Sequence, residues 1–233
     1  MSANGAFPIF RRWPQRHPDR LQLFSAPTPN GVKVSIMLEE IGLSYEAHRI
    51  DIMAGDNRSP EFLSLNPNGK LPAIIDPQGP GGRPLPLWES GAILIYLAEK
   101  TGLFLPDGAA RHETLQWLMF QMSGIGPIFG QVGWFHRFAG REIEDPRPKA
   151  RYVTEARRLL DVLEDHLEDR AWIVGADYTI ADIATLGWVE NLIGYYGAGA
   201  LTGYHRLRHV PRWLQSGLDR PAVQRGLMVG GAA

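Results

Sequence analysis

Between an apolar strand and a helix the chain reads Phe24-Ser25-Ala26-Pro27-Thr28-Pro29-Asn30-Gly31. Two prolines stiffen the turn, and Thr28 and Asn30 stand as small polar donors at the helix N-terminus. Unpaired amides and the positive end of the helix dipole make such a place suited to an anion, a thiolate among them. Cysteine is absent from all 233 residues, which excludes disulfide staples, thiolate metal sites and any CxxC redox centre. Thiol chemistry here therefore needs a thiol carried in by a ligand. The plainer alternative is that Thr28 and Asn30 only shape an Asx or ST turn. Ser25 is the one conventional hydroxyl nearby; it closes the strand before Pro27 and is the second choice.

The elements that must position this turn follow from the pattern. Residues 1–20, with Pro8, Pro14, Pro18 and the basic pair Arg11-Arg12, show no period and read as an extended arm. Leu21 to Phe24 is a short strand, and Gly31 to Gly42 carries Val34, Ile36, Met37, Leu38 and Ile41 as a helix closed by glycine. Tyr45 to Ile52 alternates as a second strand. A brief helix over Pro60 to Leu65, strands over Leu71 to Ile75 and Pro84 to Leu87, and a helix from Glu89 to Thr101 complete a βαβ-αββα module. The sequence then predicts a linker over 102–110, where strand signals end and long helical periodicity starts. Beyond it, residues 111–233 read as helix. Arg147 to Arg170 places Tyr152, Val153, Leu159, Leu160, Val162, Leu163 and Leu167 on one stripe, and Ile180 to Tyr196 is apolar nearly all round, as a buried helix is. Thr179 and Asp182 fit a capping box at its start, with Asp for the usual Glu or Gln, a folding signal whose carboxylate accepts backbone N–H bonds.

Charge and composition narrow the partners. With 24 basic and 25 acidic residues the net charge is -1, so no global field recruits nucleic acid or an anionic membrane. The start Met1-Ser2-Ala3-Asn4 leads into Pro and Arg, and no run approaches the roughly 20 apolar residues of a membrane span. The expectation is a soluble, cytoplasmic protein acting on small molecules. Seven histidines lie scattered without a metal-binding spacing such as HExxH, so no metal is expected.

Two further stretches follow the Thr28 turn in order: Asn68-Gly69-Lys70-Leu71-Pro72-Ala73 and Trp88-Glu89-Ser90-Gly91-Ala92-Ile93. Together with Thr28-Pro29-Asn30, Gly130-Gln131 and the capping box, they make the chain from Leu21 to Leu227 resemble the bacterial Nu-class glutathione transferases, sometimes described as disulfide-bond oxidoreductases. The resemblance implies an α+β, thioredoxin-like N-terminal domain over 21–101 and an all-α domain over 111–233, usually in a homodimer. Glutathione is the implied cosubstrate. It departs from many transferase classes in having no Tyr or Cys in the turn.

What the resemblance implies for each residue can be weighed against a plainer reading. Thr28 and Asn30 become donors to the glutathione thiolate. Pro72 looks like the cis-proline of thioredoxin-like folds, which lets Leu71 offer its backbone to a peptide ligand, although only about 5–6% of X–Pro bonds are cis. Glu89 and Ser90 become the holders of the γ-glutamyl end, the carboxylate on Ser90 and the free amides, the ammonium on Glu89. An ordinary acidic first turn explains Glu89 well and Ser90 less well. Asn57 and Lys70 are candidates for the other polar ends, or solvated side chains. In the helical domain Gln121, Gln131, Trp134, Phe135 and His136 lie where the family's helix passes the active cleft, against internal packing for the aromatics. Arg151 can clamp the carboxylate of a second glutathione, or form an exposed ion pair worth at most about 1 kcal/mol.

Three functions are consistent with this reading. The first is a glutathione-dependent disulfide reductase that holds two glutathiones or one glutathione disulfide. The second is a conjugating transferase or peroxidase acting on electrophiles or hydroperoxides. The third is a non-catalytic glutathione-fold binder that uses its cleft or the Arg11-Arg12 arm for partners.

Overall fold

Leu21–Ser25 (β1) is buried along its whole length, so it needs strands on both sides and cover on both faces. A computed structural model describing residues 7–231 supplies them. Tyr45–Arg49 (β2) pairs with β1 in parallel, and Ala73–Asp76 (β3) pairs with it antiparallel. Leu85–Trp88 (β4) then closes the sheet antiparallel to β3. The order is β2-β1-β3-β4, the mixed sheet of a thioredoxin-like domain. The parallel β1/β2 pair requires a crossover, and Gly31–Ile41 (α1) provides it, ending at Gly42 in the left-handed conformation expected of a C-terminal glycine. Pro60–Leu65 (α2) and Ser90–Thr101 (α3) complete the module. The observed strands lie within a residue or two of the predicted ones, except that β2 stops at Arg49 rather than Ile52. There the chain leaves the sheet for a turn in which the Asp51 carboxylate accepts from the amides of Met53 and Ala54.

The expectation of an extended N-terminal arm needs correction. Residues 1–6 lie outside the described part, but Pro8–Arg11 forms a turn of 3-10 helix that buries Ile9 and Phe10. Both belong to the core cluster of Phe24, Ile50, Phe62, Leu65 and Ile75, with Phe7 and Trp13 packed against it. Phe7 meets Phe10 edge-on at 6.1 Å, and Trp13 meets Phe62 at 6.5 Å. Four apolar residues in seven, carried by a single short turn, are too few to set up any period, which is why the sequence pattern left this segment unstructured.

The chain divides into two compact units. Within the described residues the first runs to Thr101 and resumes at Pro221, and the second is Gly102–Arg220. The predicted helical span 111–233 is therefore too long at its C-terminal end. Pro221–Met228 (α10) belongs to the sheet unit, because it packs on α1: the Ser35 hydroxyl donates to the Gly226 carbonyl at 2.6 Å. A Cβ on Gly226 would run into the Ile36 backbone. The predicted linker shortens too, since helix starts at Gly108, just before the strong helix formers Ala109 and Ala110.

The second unit is helical throughout. Gly108–Phe120 (α4) continues through a π-turn at Gln121–Ile125 into Gly126–Arg137 (α5). Pro146–His166 (α6) buries Val153, Ala156, Leu159, Leu160 and Leu163, the predicted stripe. Ile180–Ile193 (α7) is buried over most of its circumference, as its unbroken apolar sequence requires. Short Gly199–Thr202 (α8) and amphipathic His209–Leu218 (α9) complete it. Among the described residues no helix is long and apolar enough to cross a membrane.

The capping box forms as predicted and does more than cap. Asp182 is fully enclosed, and its carboxylate accepts from the Thr179 amide at 2.9 Å, the Ile173 amide at 2.9 Å and the Trp213 indole at 2.8 Å. It thus ties α7 to α9 and to the segment before α7. Burial pushes the carboxyl up to about 6, against the pull of those donors. Asp182→Ala leaves three enclosed N–H donors without their acceptor, each costing about 1–3 kcal/mol. We expect a clear fall in melting temperature, with glutathione affinity in the surviving folded fraction retained; an unchanged melting temperature with activity lost would assign Asp182 to the chemistry instead.

Candidate functional site

The turn after β1 is built by its own side chains. The Thr28 carbonyl accepts from the Val32 amide at 3.0 Å, and its Oγ1 accepts from the Gly31 amide at 3.0 Å. Thr28 thus satisfies the first amides of α1 from the turn before it, and Pro29 has no N–H to leave unpaired there. Asn30 follows with helical angles (φ -84, ψ -33). The turn is tight enough that a Cβ on Gly31 would collide with the Ala26 carbonyl oxygen and the Ser25 hydroxyl. Only glycine can occupy that position.

The capping bond bears directly on what Thr28 can do. A hydroxyl has one proton and two acceptor lone pairs. The Gly31 amide takes up a lone pair and orients the group, which leaves the proton for an outside acceptor. The turn-forming role and the donor role are therefore compatible. Ser25 is placed differently: it is buried, and its hydroxyl donates to the Ala26 carbonyl at 3.3 Å.

The Leu71–Pro72 peptide bond is cis, as the resemblance implied. The β1/β3 ladder begins at Ala73 opposite Phe24, so Leu71 stands two residues before the ladder starts. Asn57 Nδ2 donates to the Gly69 carbonyl at 2.7 Å, and Asn66 Nδ2 donates to the Lys70 carbonyl at 2.7 Å. Asn57 thereby shapes the loop ahead of the cis-proline, while the Lys70 side chain is exposed.

Glu89 has φ 71, in the left-handed region. For a non-glycine residue this is worth roughly 1–3 kcal/mol of strain, of the kind that persists where surrounding structure enforces it. Glu89 is exposed, and Ser90, the first residue of α3, is buried.

Behind Ser90 lies a residue that the sequence reading passed over. Lys33, one turn into α1, is 0% exposed, and its Nζ lies 3.2 Å from Ser90 Oγ. Burial lowers its pKa to about 7, with the Glu89 charge acting in the opposite direction. The signal was present in the sequence: Val32, Val34 and Ile36–Leu38 surround Lys33 with apolar neighbours in the first two turns of the helix. Lys33 links the first turn of α1 to the first residue of α3, so Thr28, Asn30, Lys33, Glu89 and Ser90 gather around two helix N-termini of one unit.

The candidates of the helical unit are placed as follows. Gln121 is fully buried at the start of the π-turn, whereas Gln131 and Arg151 are exposed. Phe135 stacks on Tyr152 with centroids 5.6 Å apart. His136 Nδ1 lies 3.3 Å from Lys149 Nζ, and Trp134 is 45% exposed. Arg151 stands one turn before Glu155 and its charge helps keep that carboxyl low, although the bidentate partner of Glu155 is Arg158, at 2.7 and 2.9 Å. Among the described residues no group of three His, Asp or Glu is arranged to hold a metal ion.

Comparison with known proteins supplies a frame for this geometry. Residues 19–99 match the family described as "Glutathione S-transferase, N-terminal domain" and residues 148–216 its C-terminal domain counterpart. The disulfide-bond oxidoreductase YfcG of Escherichia coli is 48% identical over 172 residues, which cover 73% of this chain and 79% of that protein. A glutathione transferase from Pseudomonas putida, solved with one glutathione disulfide bound per subunit, is 61% identical. It superposes with a TM-score of 0.96 over 97% of this chain and 99% of its own. A family member from Pseudomonas fluorescens, solved with two glutathiones bound, is also 61% identical, with a TM-score of 0.95 over 96% and 99%.

The enclosed lysine has a consequence for stability. A base whose folded pKa is lowered opposes folding fully below that pKa, and the penalty fades as pH climbs towards the unfolded value. Lys33→Met should therefore raise the melting temperature, most of all at and below pH 7, and the gain should shrink steadily towards about pH 10. Thermal scans of both proteins across that range check it, and a gain independent of pH would contradict the assignment.

Proposed function

The chain belongs to the glutathione S-transferase family, and we propose that it is a glutathione-dependent disulfide-bond reductase working through Thr28 and Asn30. The observation that carries this reading is the Thr28 hydroxyl, which caps α1 through its lone pair and keeps its proton for an anion at the helix N-terminus, in a chain with no cysteine of its own. In the proposed reaction a glutathione thiolate held by Thr28 and Asn30 attacks one sulfur of the substrate disulfide. A mixed disulfide forms, and the departing thiolate takes up a proton. A second glutathione thiolate then attacks the glutathione sulfur of the mixed disulfide and releases the other substrate thiol. Two glutathiones become glutathione disulfide, and one substrate disulfide becomes two thiols. Both reacting sulfurs belong to ligands at every stage.

Glu89 and Ser90 hold the γ-glutamyl end, Leu71 before cis-Pro72 offers its backbone to the tripeptide, and Asn57 and Lys70 serve its remaining polar groups. Gln121, Gln131, Trp134, Phe135, His136 and Arg151 take the part assigned to the second glutathione or the substrate. Support comes from the disulfide chemistry named for YfcG and from the two Pseudomonas proteins solved with glutathione disulfide or with two glutathiones. The same reading places the protein in a reducing, thiol-rich cytoplasm as a homodimer.

Disulfide reduction should survive Ser25→Ala, because that hydroxyl is committed to the Ala26 carbonyl, and fall sharply in Thr28→Ala and Asn30→Ala, most in the double variant. Each unit by which the thiol pKa recovers corresponds to about 1.4 kcal/mol of lost thiolate stabilisation. Thiolate absorbance of bound glutathione against pH, measured beside turnover of hydroxyethyl disulfide, reads both effects. Abolition of turnover by Ser25→Ala alone, with a raised thiol pKa, would replace this mechanism with a hydroxyl-activated one. Strong turnover of aromatic halides with none of disulfides would select the conjugating alternative.

A further inference from the structure

The segment before β1 and the strand β2 border a cavity that shares no lining residue with the Thr28 turn and lies wholly within the sheet unit. It measures about 450 Å³, within the range of small-molecule sites. Arg12, Arg16 and His17 face it from one side, and Glu46, His48 and Arg49 from β2. Among the described residues no strand lies beyond β2 in the sheet. The wall before β1 is tied down. The Glu46 carboxylate accepts from the Arg16 amide at 2.9 Å and the His17 amide at 2.7 Å. The enclosed Gln22 Nε2 donates to the His17 carbonyl at 2.9 Å and the Arg20 carbonyl at 2.8 Å.

These bonds orient one imidazole. Gln22 spends its Nε2 on two carbonyls, so its Oε1, 2.8 Å from His48 Nε2, is the accepting atom, and neutral His48 carries its proton on Nε2. The His48 residue is 8% exposed, and its ring stacks on Phe24 with centroids 4.6 Å apart. With one face and Nε2 occupied, the other face and the Nδ1 edge are left to line the cavity. Among the described residues Nδ1 has no hydrogen-bond partner. Arg12 is paired with Asp56, whereas Arg16 and Arg49 enter no ion pair among the described residues.

We propose that this cavity binds a small phosphate-bearing molecule, held by the Arg16 and Arg49 guanidiniums and by His48 Nδ1, which takes up a proton as the anion enters. A phosphoryl group offers three oxygens to these three donors, where a carboxylate offers two. Burial lowers the His48 pKa, the Glu46 charge opposes that and the Arg16 charge adds to it, so the ring is neutral at pH 7 before the anion arrives. The other groups around it are Arg12, His17 and Arg49, together with Tyr45, whose hydroxyl donates to Glu39. Burial raises the Glu46 carboxyl, but the amides of Arg16 and His17 outweigh it and keep the group ionised.

Calorimetry on the full chain at pH 7, in about 0.1 M chloride to screen diffuse surface charge, compares ribose 5-phosphate with malonate. The phosphate ester should bind at least tenfold more tightly. Arg16→Ala and Arg49→Ala, both at exposed positions, should each weaken it about tenfold, as loss of a charge-assisted bond does. Turnover of hydroxyethyl disulfide should be unchanged in both. Inorganic sulfate, which does not titrate near neutrality, isolates the histidine: its affinity should rise as pH falls from about 8 to about 6. Nitrogen-15 signals of His48 in the wild type provide a reading that needs no variant, and its titration should move to higher pH when sulfate binds. Absence of ribose 5-phosphate binding in that salt, malonate binding as tightly, equal affinity in both arginine variants, or a His48 titration unmoved by bound sulfate would each overturn the proposal.

Discussion

Helix α1 has almost no solvent face over Gly31–Leu38, and most of the site follows from that. A surface helix can leave its first amides to water. An enclosed one must satisfy them with protein groups or with a ligand. Here Thr28 caps one amide, Pro29 removes another, and the Gly31 collision fixes how closely the turn must fold on Ala26. The same enclosure strips water from Lys33 and directs its charge to the start of α3. A residue that would be a solvated surface cation on an amphipathic helix is instead held against Ser90.

Two helix N-termini meeting in one unit is an arrangement that favours anions at both ends of an extended ligand. Each N-terminus carries about half a positive charge, and its effect fades within a turn. The contact between Lys33 and Ser90 bridges the two. Glu89 adds a negative charge on the exposed side, so the region suits a zwitterionic terminus better than a simple anion. The left-handed backbone of Glu89 fits the same picture: the conformation carries strain, and the first residue of α3 gains a fixed orientation by it.

The sequence carried the elements of the sheet unit almost to the residue, because α1, α2 and α3 each announce their ends by glycine, proline or a capping side chain. The Asp182 capping box was legible for the same local reason, whereas the cis bond before Pro72 was implied only by the family resemblance. What was not legible depended on packing. Ile9 and Phe10 enter the core on a single 3-10 turn, too short to leave a period. Helix α10 looks like any other amphipathic segment until Gly226 is seen against Ile36. Lys33 was hidden because a lysine is read by default as exposed, although its apolar neighbours argued otherwise. The stacking of Phe135 on Tyr152 is likewise a contact between α5 and α6 that no local pattern announces.

The proposed use of neutral donors at Thr28 and Asn30 has a chemical logic. Thiol–disulfide exchange needs a thiolate, but thiolate nucleophilicity falls as its pKa falls, so the best attacking thiol has a pKa near ambient pH. A hydroxyl and an amide at a helix end can bring a thiol from about 8.5 towards about 7. A full cation against the sulfur would drive the pKa lower and leave the anion abundant but sluggish. In the sheet unit the enclosed Lys33 lies instead against Ser90, at the start of α3. In the proposed reaction the reacting thiolate is thereby left to neutral donors, and the enclosed cation stands at the other helix end.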